Sequence, residues 1–165
     1  MWLIGMMGSG KTTVGSALAQ RLGVPFYDTD QIVTGSAGES ISEIFAHGGE
    51  DRFRRLERDA VMTVSAEDSV VAVGGGAVLD PNNRARMSAS PPVVWLRCAP
   101  DTLARRLDRT RDRPLLPEGD DPVGRLAAIL GDRRALYEGV ADHVIDTDAL
   151  TVAEAIEELR HIWSA

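Results

Sequence analysis

Cysteine, lysine and long apolar runs are all scarce in this sequence, and each shortage excludes a class of protein. Cys98 is the one cysteine among 165 residues, which excludes a disulfide within the chain and fits a reducing compartment. No apolar run approaches the roughly 20 residues that span a bilayer, and the Met-Trp-Leu-Ile start lacks the basic flank and the length of a signal peptide. We therefore expect a cytoplasmic protein without a membrane partner.

Basic residues are also few, because 18 lysine and arginine residues are outnumbered by 25 aspartate and glutamate residues, which gives a formal charge of -7. Broad electrostatic attraction to nucleic acid is therefore not expected, and small molecules or proteins remain as partners. The length and the 44% hydrophobic content are ordinary for one globular domain, which needs no disulfide or metal to fold. We expect a single-domain monomer.

Five short apolar runs alternate with stretches of helical periodicity, a pattern typical of a parallel sheet covered by helices on both faces. The runs are Trp2 to Ile4, Pro25 to Tyr27, Val70 to Val73, Val93 to Leu96 and His143 to Ile145. Most of them are too continuously apolar for a sheet with one face in water. The sequence therefore predicts a three-layer α/β fold with five parallel strands.

Two segments between the runs depart from this alternation. Gly35 to Gly49 is rich in small residues and glycine, which favours a short helical insertion over another crossover. Within it, Ser40 and Glu43 form a capping-box pair that predicts the start of a helix. Arg109 to Pro122 holds three prolines and alternating charges, which predict a mobile loop over a site.

One motif points to a specific chemistry, because residues 5–12, GMMGSGKT, match the phosphate-binding pattern G-x-x-x-x-G-K-[ST]. The segment follows a short apolar strand and opens a helix, as this P-loop motif requires, and a chance match in this composition is roughly 0.001. Its glycines let backbone N–H groups curl around phosphate oxygens. Lys11, the one lysine among 18 basic residues, is expected to reach the β- and γ-phosphates, and Thr12 to offer its hydroxyl to Mg²⁺.

A P-loop by itself does not distinguish a kinase from a hydrolytic switch or a passive nucleotide binder. Asp28 and Asp30 follow the second predicted strand, at the edge where a parallel sheet meets its ligands. One carboxylate could hold the metal through water and the other an acceptor hydroxyl, or both could simply end the strand and cap the next helix. A second Asp-Thr-Asp, at residues 146–148, is explained by the helix that Thr151 and Glu154 are predicted to start.

Three further segments have both a functional and a structural interpretation. Arg54 and Glu57 are neighbours on a predicted helix, where a surface ion pair is the simpler account. Gly74 to Gly76 would let a ligand approach the backbone closely, or would serve as a flexible strand exit. From Arg105 to Arg113 the chain holds five arginines and two aspartates, and Arg113, beside a loop proline, is the candidate for contact with a phosphoryl group.

Together these segments resemble the shikimate kinase family. The resemblance rests on six blocks in family order: GMMGSGKTTVG at Gly5 to Gly15, DTD at Asp28 to Asp30, FRRLE at Phe53 to Glu57, GGGA at Gly74 to Ala77, RPLL at Arg113 to Leu116 and RRALY at Arg133 to Tyr137. The first block is specific by itself. The others gain their weight from their order and from covering nearly the whole chain.

The resemblance implies a nucleoside-monophosphate-kinase-like P-loop NTPase fold, with strand order 2-3-1-4-5. It also implies transfer of the γ-phosphoryl group of ATP to the 3-hydroxyl of shikimate. One kinase domain would cover residues 1–165, with a substrate-binding insertion at about 31–60 and a mobile lid at about 109–122. Mg²⁺ is the implied cofactor and ATP the implied co-substrate.

Residue roles are implied by the resemblance, position by position. The implied catalytic residues are Asp30, as the base, Lys11 and Arg113. The implied nucleotide-binding residues are Gly8, Ser9, Gly10, Lys11, Thr12, Thr13, Arg106, which would lie against the adenine, and Arg113. The implied shikimate-binding residues are Asp30, Arg54, Gly75 and Arg134, with the two arginines on the carboxylate. The implied metal site consists of Thr12 and, through water, Asp28.

Two other functions stay open on the sequence alone. A kinase that resembles gluconate kinases would keep the nucleotide half and change the acceptor, and Arg54, Gly75 and Arg134 argue against it. A nucleotide-binding module without turnover would have no use for an acceptor base, so the joint presence of Lys11, Thr12, Asp30 and Arg113 argues against that function. Paired arginines also suit a planar carboxylate better than lysines would.

Overall fold

The five apolar runs form one parallel sheet in the computed structural model of the chain, which describes residues 1–90, 92–108 and 121–164. The strands are β1 (Trp2–Ile4), β2 (Phe26–Asp28), β3 (Val70–Ala72), β4 (Val93–Arg97) and β5 (His143–Asp146). Their order is β2-β3-β1-β4-β5, and every neighbouring pair is parallel. The predicted fold class and strand order are therefore confirmed.

Seven helices and one 3₁₀ turn accompany the strands within the described residues, and the last helix follows β5. The helices are α1 (Lys11–Leu22), α2 (Thr29–Ala37), α3 (Ile41–Thr63), α4 (Pro81–Ser88), α5 (Pro100–Asp108), α6 (Pro122–Val140) and α7 (Val152–Trp163), and the turn is Ala77–Leu79. Both predicted capping boxes are present, at the starts of α3 and α7. Within the described ranges, no helix is long and apolar enough to cross a membrane.

The sheet has a separate apolar core on each face, because successive side chains of a strand point in opposite directions. On one face, Trp2, Ile4 and Trp95 pack in a cluster with residues of α3 and α6. On the other, Leu3 and Leu96 pack in a cluster with residues of α1 and α7. Cover on both faces explains why β1, β3 and most of β4 are continuously apolar, and it makes the fold three-layered.

The glycine-rich insertion differs from the short helix that its composition predicts. It contains the end of α2 and the first part of α3, and α3 runs on to Thr63 with a break at Gly49, where φ is 68° and ψ is -175°. Val33, Ile44 and Phe53 give these two helices a small core of their own. This shared apolar contact explains why the helical insertion forms parts of two packed helices rather than one short helix.

Candidate active site

The P-loop lies between β1 and α1, as the motif predicts. Gly5 has a φ of 141°, and a Cβ atom there would lie 2.6 Å from the backbone oxygen of Leu96, so only glycine fits this close approach. Gly10 precedes α1 in a left-handed conformation, and no side chain caps the first N–H groups of the helix. Those N–H groups border a cavity of about 340 Å³, where they could bind an anion.

Lys11 is the charged centre of this loop. Its side chain is buried, and its Nζ donates hydrogen bonds to the carbonyl oxygens of Gly5 at 2.8 Å and Met6 at 2.9 Å. The ammonium therefore lies against the loop that a phosphate chain would fill. The lone lysine of the sequence is at the position where a mobile point charge is useful for phosphate binding.

Thr12 and Asp28 join the P-loop to the end of β2. The Thr12 hydroxyl donates to Oδ2 of Asp28 at 2.7 Å, while Oδ1 of Asp28 accepts from the backbone N–H groups of Asp30 and Gln31. Asp28 therefore caps α2, as the structural interpretation predicts, and its second carboxylate oxygen also contacts the P-loop. A hydroxyl beside a carboxylate is a donor pair of the hard oxygen type that suits Mg²⁺.

A second cavity, of about 480 Å³, adjoins the first. Both are lined by Met7, Asp30 and Gly75, so Asp30 stands where they meet. The absence of a side chain at Gly74 lets the Asp30 carboxylate approach the backbone that follows β3. A Cβ at Gly74 would lie 2.6 Å from Oδ1 of Asp30 and 2.7 Å from Oε1 of Glu57, which leaves no room for a larger residue.

Arg54 projects into the second cavity between two carboxylates. Its Nη1 donates to Glu57 at 2.7 Å, while its Nε and Nη2 both donate to Oε1 of Glu50, at 3.2 and 3.0 Å. The side chain of Glu57 is only 1% exposed, so the pair with Glu57 is not the surface ion pair that the helical spacing suggested. Burial raises the pKa of Glu57, and the neighbouring guanidinium opposes that rise.

Arg133, rather than Arg134, lines the second cavity. Nη1 of Arg133 donates to the carbonyl oxygen of Gly75 at 3.1 Å. The side chain of Arg134 is 53% exposed and lies 4.0 Å from Glu138. This placement disagrees with the role that the resemblance implied for Arg134. The cause is helical phase, because adjacent residues of α6 point roughly 100° apart.

Tyr137 supports the same strand exit, a role that the sequence analysis did not assign although Tyr137 ends one of the six family blocks. Its hydroxyl donates to the carbonyl oxygen of Gly75 at 2.6 Å, and its ring stacks on Trp95 with the centroids 5.4 Å apart. Burial raises the pKa of Tyr137 to about 12, so the hydroxyl stays a donor at neutral pH. The sequence does contain a pattern that pairs Tyr137 with Arg133, since residues four positions apart share one face of a helix.

Arg106 crosses from α5 to the P-loop. It donates to the carbonyl oxygen of Thr147 at 2.6 Å, to the Thr147 hydroxyl at 3.2 Å and to the carbonyl oxygen of Ser9 at 3.4 Å. Asp148 accepts from the backbone N–H of Ala99. Residues 146–148 end β5 just before the helix that Thr151 caps, as predicted, and Thr147 in addition anchors Arg106, which lines the first cavity.

The predicted site residues converge on these two cavities, with three exceptions. The first cavity is lined by Gly8, Gly10, Lys11, Thr12, Thr13, Asp28, Asp30, Gly75 and Arg106, and the second by Asp30, Arg54 and Gly75. Ser9 contributes its backbone carbonyl but lines neither cavity, and neither does Arg134. Arg113 lies outside the described residues, as do residues 109–120 of the lid predicted at about 109–122.

A parallel sheet of this order, a P-loop after its first strand and a second cavity that meets the first at a carboxylate define a small-molecule P-loop kinase. Comparison with known proteins narrows this class. The family model for shikimate kinase matches residues 7–163. A shikimate kinase of Symbiobacterium thermophilum is 45% identical over 163 residues, which cover 95% of this chain and 91% of that protein.

Solved structures agree with this match. A shikimate kinase from Acinetobacter baumannii in complex with shikimate has a TM-score of 0.91 at 34% identity, over 99% of this chain and 92% of that one. A shikimate kinase from Bacteroides thetaiotaomicron has a TM-score of 0.89 at 31% identity, over 99% and 97%. The chain belongs to the shikimate kinase family, and its phosphoryl donor is therefore ATP. This membership supports shikimate kinase over the two alternatives.

Proposed function

We propose that this chain transfers the γ-phosphoryl group of ATP to the 3-hydroxyl of shikimate, which gives shikimate 3-phosphate and ADP. The observation that carries the proposal is the meeting of a P-loop cavity and an arginine-lined cavity at Asp30. Shikimate is a small hydroxylated carboxylate, and the two ends of the second cavity match it. Arg54 and Arg133 supply positive charge, while Asp30 supplies an acceptor for a hydroxyl proton.

The nucleotide half of the proposal assigns the triphosphate to the P-loop. The backbone N–H groups of residues 8–13 bind phosphate oxygens, and Lys11 exchanges its two carbonyl partners for the β- and γ-phosphates. Arg106, held by Thr147 and Ser9, lies against the adenine. Arg113 is proposed, from the resemblance alone, to bring a further positive charge to the transferred group.

Mg²⁺ is proposed to bind beside Thr12 and Asp28, with the carboxylate acting through water. The pair fits, since it offers two hard oxygen donors next to the phosphate cavity, and no cluster of three or more metal-binding side chains occurs in the described ranges. A magnesium ion held chiefly by water and phosphates needs no such cluster. When bound, the ion neutralises charge on the phosphate oxygens.

The acceptor half relies on charge-assisted hydrogen bonds. Arg54 and Arg133 hold the carboxylate, each such bond being worth roughly 1.5 to 3 kcal/mol. Arg133 replaces Arg134 here because it lines the cavity. Gly75 lets the ring pack against bare backbone. Asp30 accepts the proton of the 3-hydroxyl and aims its oxygen at the γ-phosphorus, as a loose transition state requires.

The arrangement of the chain follows from the same proposal. One kinase domain covers residues 1–165, and the substrate-binding insertion at about 31–60 comprises most of α2 and α3, which line the second cavity. The segment at about 109–122 is proposed as a mobile lid, of which residues 121 and 122 are described as the start of α6. We also propose a cytoplasmic monomer that binds neither nucleic acid nor membranes.

ADP release with Mg-ATP and a panel of hydroxylated carboxylates tests the proposal. Formation of ADP that depends on shikimate, together with its 3-phosphate in the product, is the expected result. Turnover of gluconate or another acceptor in place of shikimate would overturn the assigned substrate. Binding of ATP without turnover of any acceptor would overturn the assigned reaction and leave a nucleotide-binding module.

The two neighbouring arginines of α6 provide a matched pair of variants. Arg133→Gln is expected to raise the KM for shikimate about 10- to 100-fold, because one charge-assisted bond to the carboxylate is lost. Arg134→Gln removes the same charge from the exposed side of the helix and is expected to change the KM by less than about twofold. Steady-state kinetics at saturating ATP measures both, and a larger effect at Arg134 would reverse the assignment.

A further inference from the structure

The two sides of the Arg54 guanidinium have partners of very different burial. Nη1 is bound to Glu57, whose side chain is 1% exposed. The opposite edge, formed by Nε and Nη2, is bound to Glu50, whose side chain is 63% exposed. Breaking the contact with Glu57 would strand a buried carboxylate, whereas Glu50 can turn into water at little cost. The two carboxylates therefore differ in how easily they can leave.

The edge that Glu50 occupies is the part of Arg54 best suited to a ligand. A guanidinium binds a planar carboxylate most strongly through two parallel N–H groups on one edge, and Nε with Nη2 provides such an edge. Both groups donate to a single oxygen of Glu50, and Glu50 itself lines the acceptor cavity. A side-chain carboxylate thus already lies where a carboxylate ligand would bind Arg54.

We propose that Glu50 stands in for the carboxylate of the acceptor and must leave Arg54 before the acid binds. The inference rests on the proposed function, and it gives Glu50 a role in setting the affinity for the acceptor. One carboxylate replaces another on the same guanidinium edge, and because Glu57 stays on Nη1 throughout, Arg54 keeps a carboxylate partner during the exchange. The free energy needed to displace Glu50 therefore weakens the net binding free energy of every acid that uses this edge.

The same exchange makes the site selective for anions. An acceptor with a carboxylate restores the ion pair that it breaks, whereas a neutral acceptor that needs the same space breaks the pair and restores nothing. Glu57 remains on Nη1 throughout and keeps the guanidinium oriented. The orienting carboxylate and the displaceable one are therefore separate residues, three and four positions from Arg54 on α3.

The first test compares Glu50→Gln with Asp51→Asn. Asp51 is the next residue on the same exposed part of α3, has no ion pair with Arg54 and loses the same charge. Glu50→Gln is expected to lower the Kd and KM for shikimate about two- to fivefold and to leave kcat within about twofold, since a half-exposed ion pair no longer competes. Asp51→Asn is expected to change the Kd by less than about 1.5-fold, as is usual for an exposed surface charge.

A second variant separates contact from charge. Glu50→Asp keeps the negative charge but is one methylene shorter, so it is expected to release the Arg54 edge and to lower the Kd as Glu50→Gln does. If Glu50→Asp behaved like the unaltered protein, repulsion of the acid by charge would explain the result and the proposal would be wrong. A higher KM in both variants would make Glu50 an orienting residue for Arg54 and would equally overturn it.

The unaltered protein supplies the remaining comparison. Absence of shikimate-dependent ADP release in that protein would reject the proposed function together with this inference. Normal turnover of shikimate in the unaltered protein, with an unchanged Kd in Glu50→Gln, would reject the inference alone. Isothermal titration with shikimate and steady-state kinetics on the same preparations distinguish these outcomes.

Discussion

Replacing Asp30 with asparagine is expected to lower kcat about 10²- to 10⁴-fold, the usual contribution of a general base. Asparagine has nearly the same shape but cannot take the hydroxyl proton. Because Asp30 stands where the two cavities meet, both substrates should still bind beside the altered residue. We therefore expect the Kd for ATP and the KM for shikimate to stay within a few-fold of their original values, as measured by titration and steady-state kinetics.

Asp59→Asn is a suitable control for this variant, because Asp59 is exposed on α3 and the substitution removes the same charge at a position outside the cavities. It is expected to retain full turnover. Unchanged kcat in Asp30→Asn would remove Asp30 from the reaction. A loss of ATP binding in that variant would instead assign Asp30 to the nucleotide half, with Asp28 and Thr12.

Replacing Lys11 with alanine is expected to lower kcat/KM for ATP by about 10³-fold. Phosphoryl transfer depends chiefly on positioning and on positive charge at the phosphates. The loss of one group that stabilises this charge lowers kcat by about 10²- to 10³-fold. The buried ammonium also holds the loop through Gly5 and Met6, so part of the loss should appear in the KM for ATP. Single-turnover kinetics at saturating ATP separates the two contributions.

Lys11→Arg tests the reason for using lysine in a chain that otherwise employs arginine. The planar guanidinium keeps the charge but cannot follow the phosphates as a compact point charge can, so it is expected to recover only a small part of the activity. Amine-selective modification offers an independent check, since Lys11 carries the one lysine ammonium in the sequence. ATP is expected to slow modification of Lys11, as read by peptide mass spectrometry, and equal rates with and without ATP would contradict its role.

The elements that the sequence predicted correctly are those set by local or periodic patterns. The P-loop is one continuous segment whose glycines determine the backbone path, so its position and role could be read directly from residues 5–12. The central strands β1, β3 and most of β4 are continuously apolar because both faces are covered, and the two capping boxes act within four residues each. Each of these signals depends only on neighbours along the chain.

The acceptor half required the tertiary structure. The spacing of Arg54 and Glu57 showed that they are neighbours, but not that Glu57 is buried against the glycine turn after β3. The choice between Arg133 and Arg134 depended on the rotation of α6 about its axis relative to Gly75, a contact across 58 residues. Helical periodicity could have favoured Arg133 with Tyr137, but only their shared hydrogen bonds to Gly75 identify the face that meets the site.

The sequence by itself determined the phosphate loop, the parallel α/β sheet and the family resemblance, because local backbone preference and apolar periodicity are written in consecutive residues. The tertiary structure alone decided which charges share a cavity, since α3, α6 and the exits of β2 and β3 are far apart along the chain and meet only when the sheet assembles. The tertiary structure also decided that, of the two carboxylates bound to Arg54, Glu57 is buried and Glu50 is exposed to water. Solvent exposure of this kind cannot be read from the linear order of the residues.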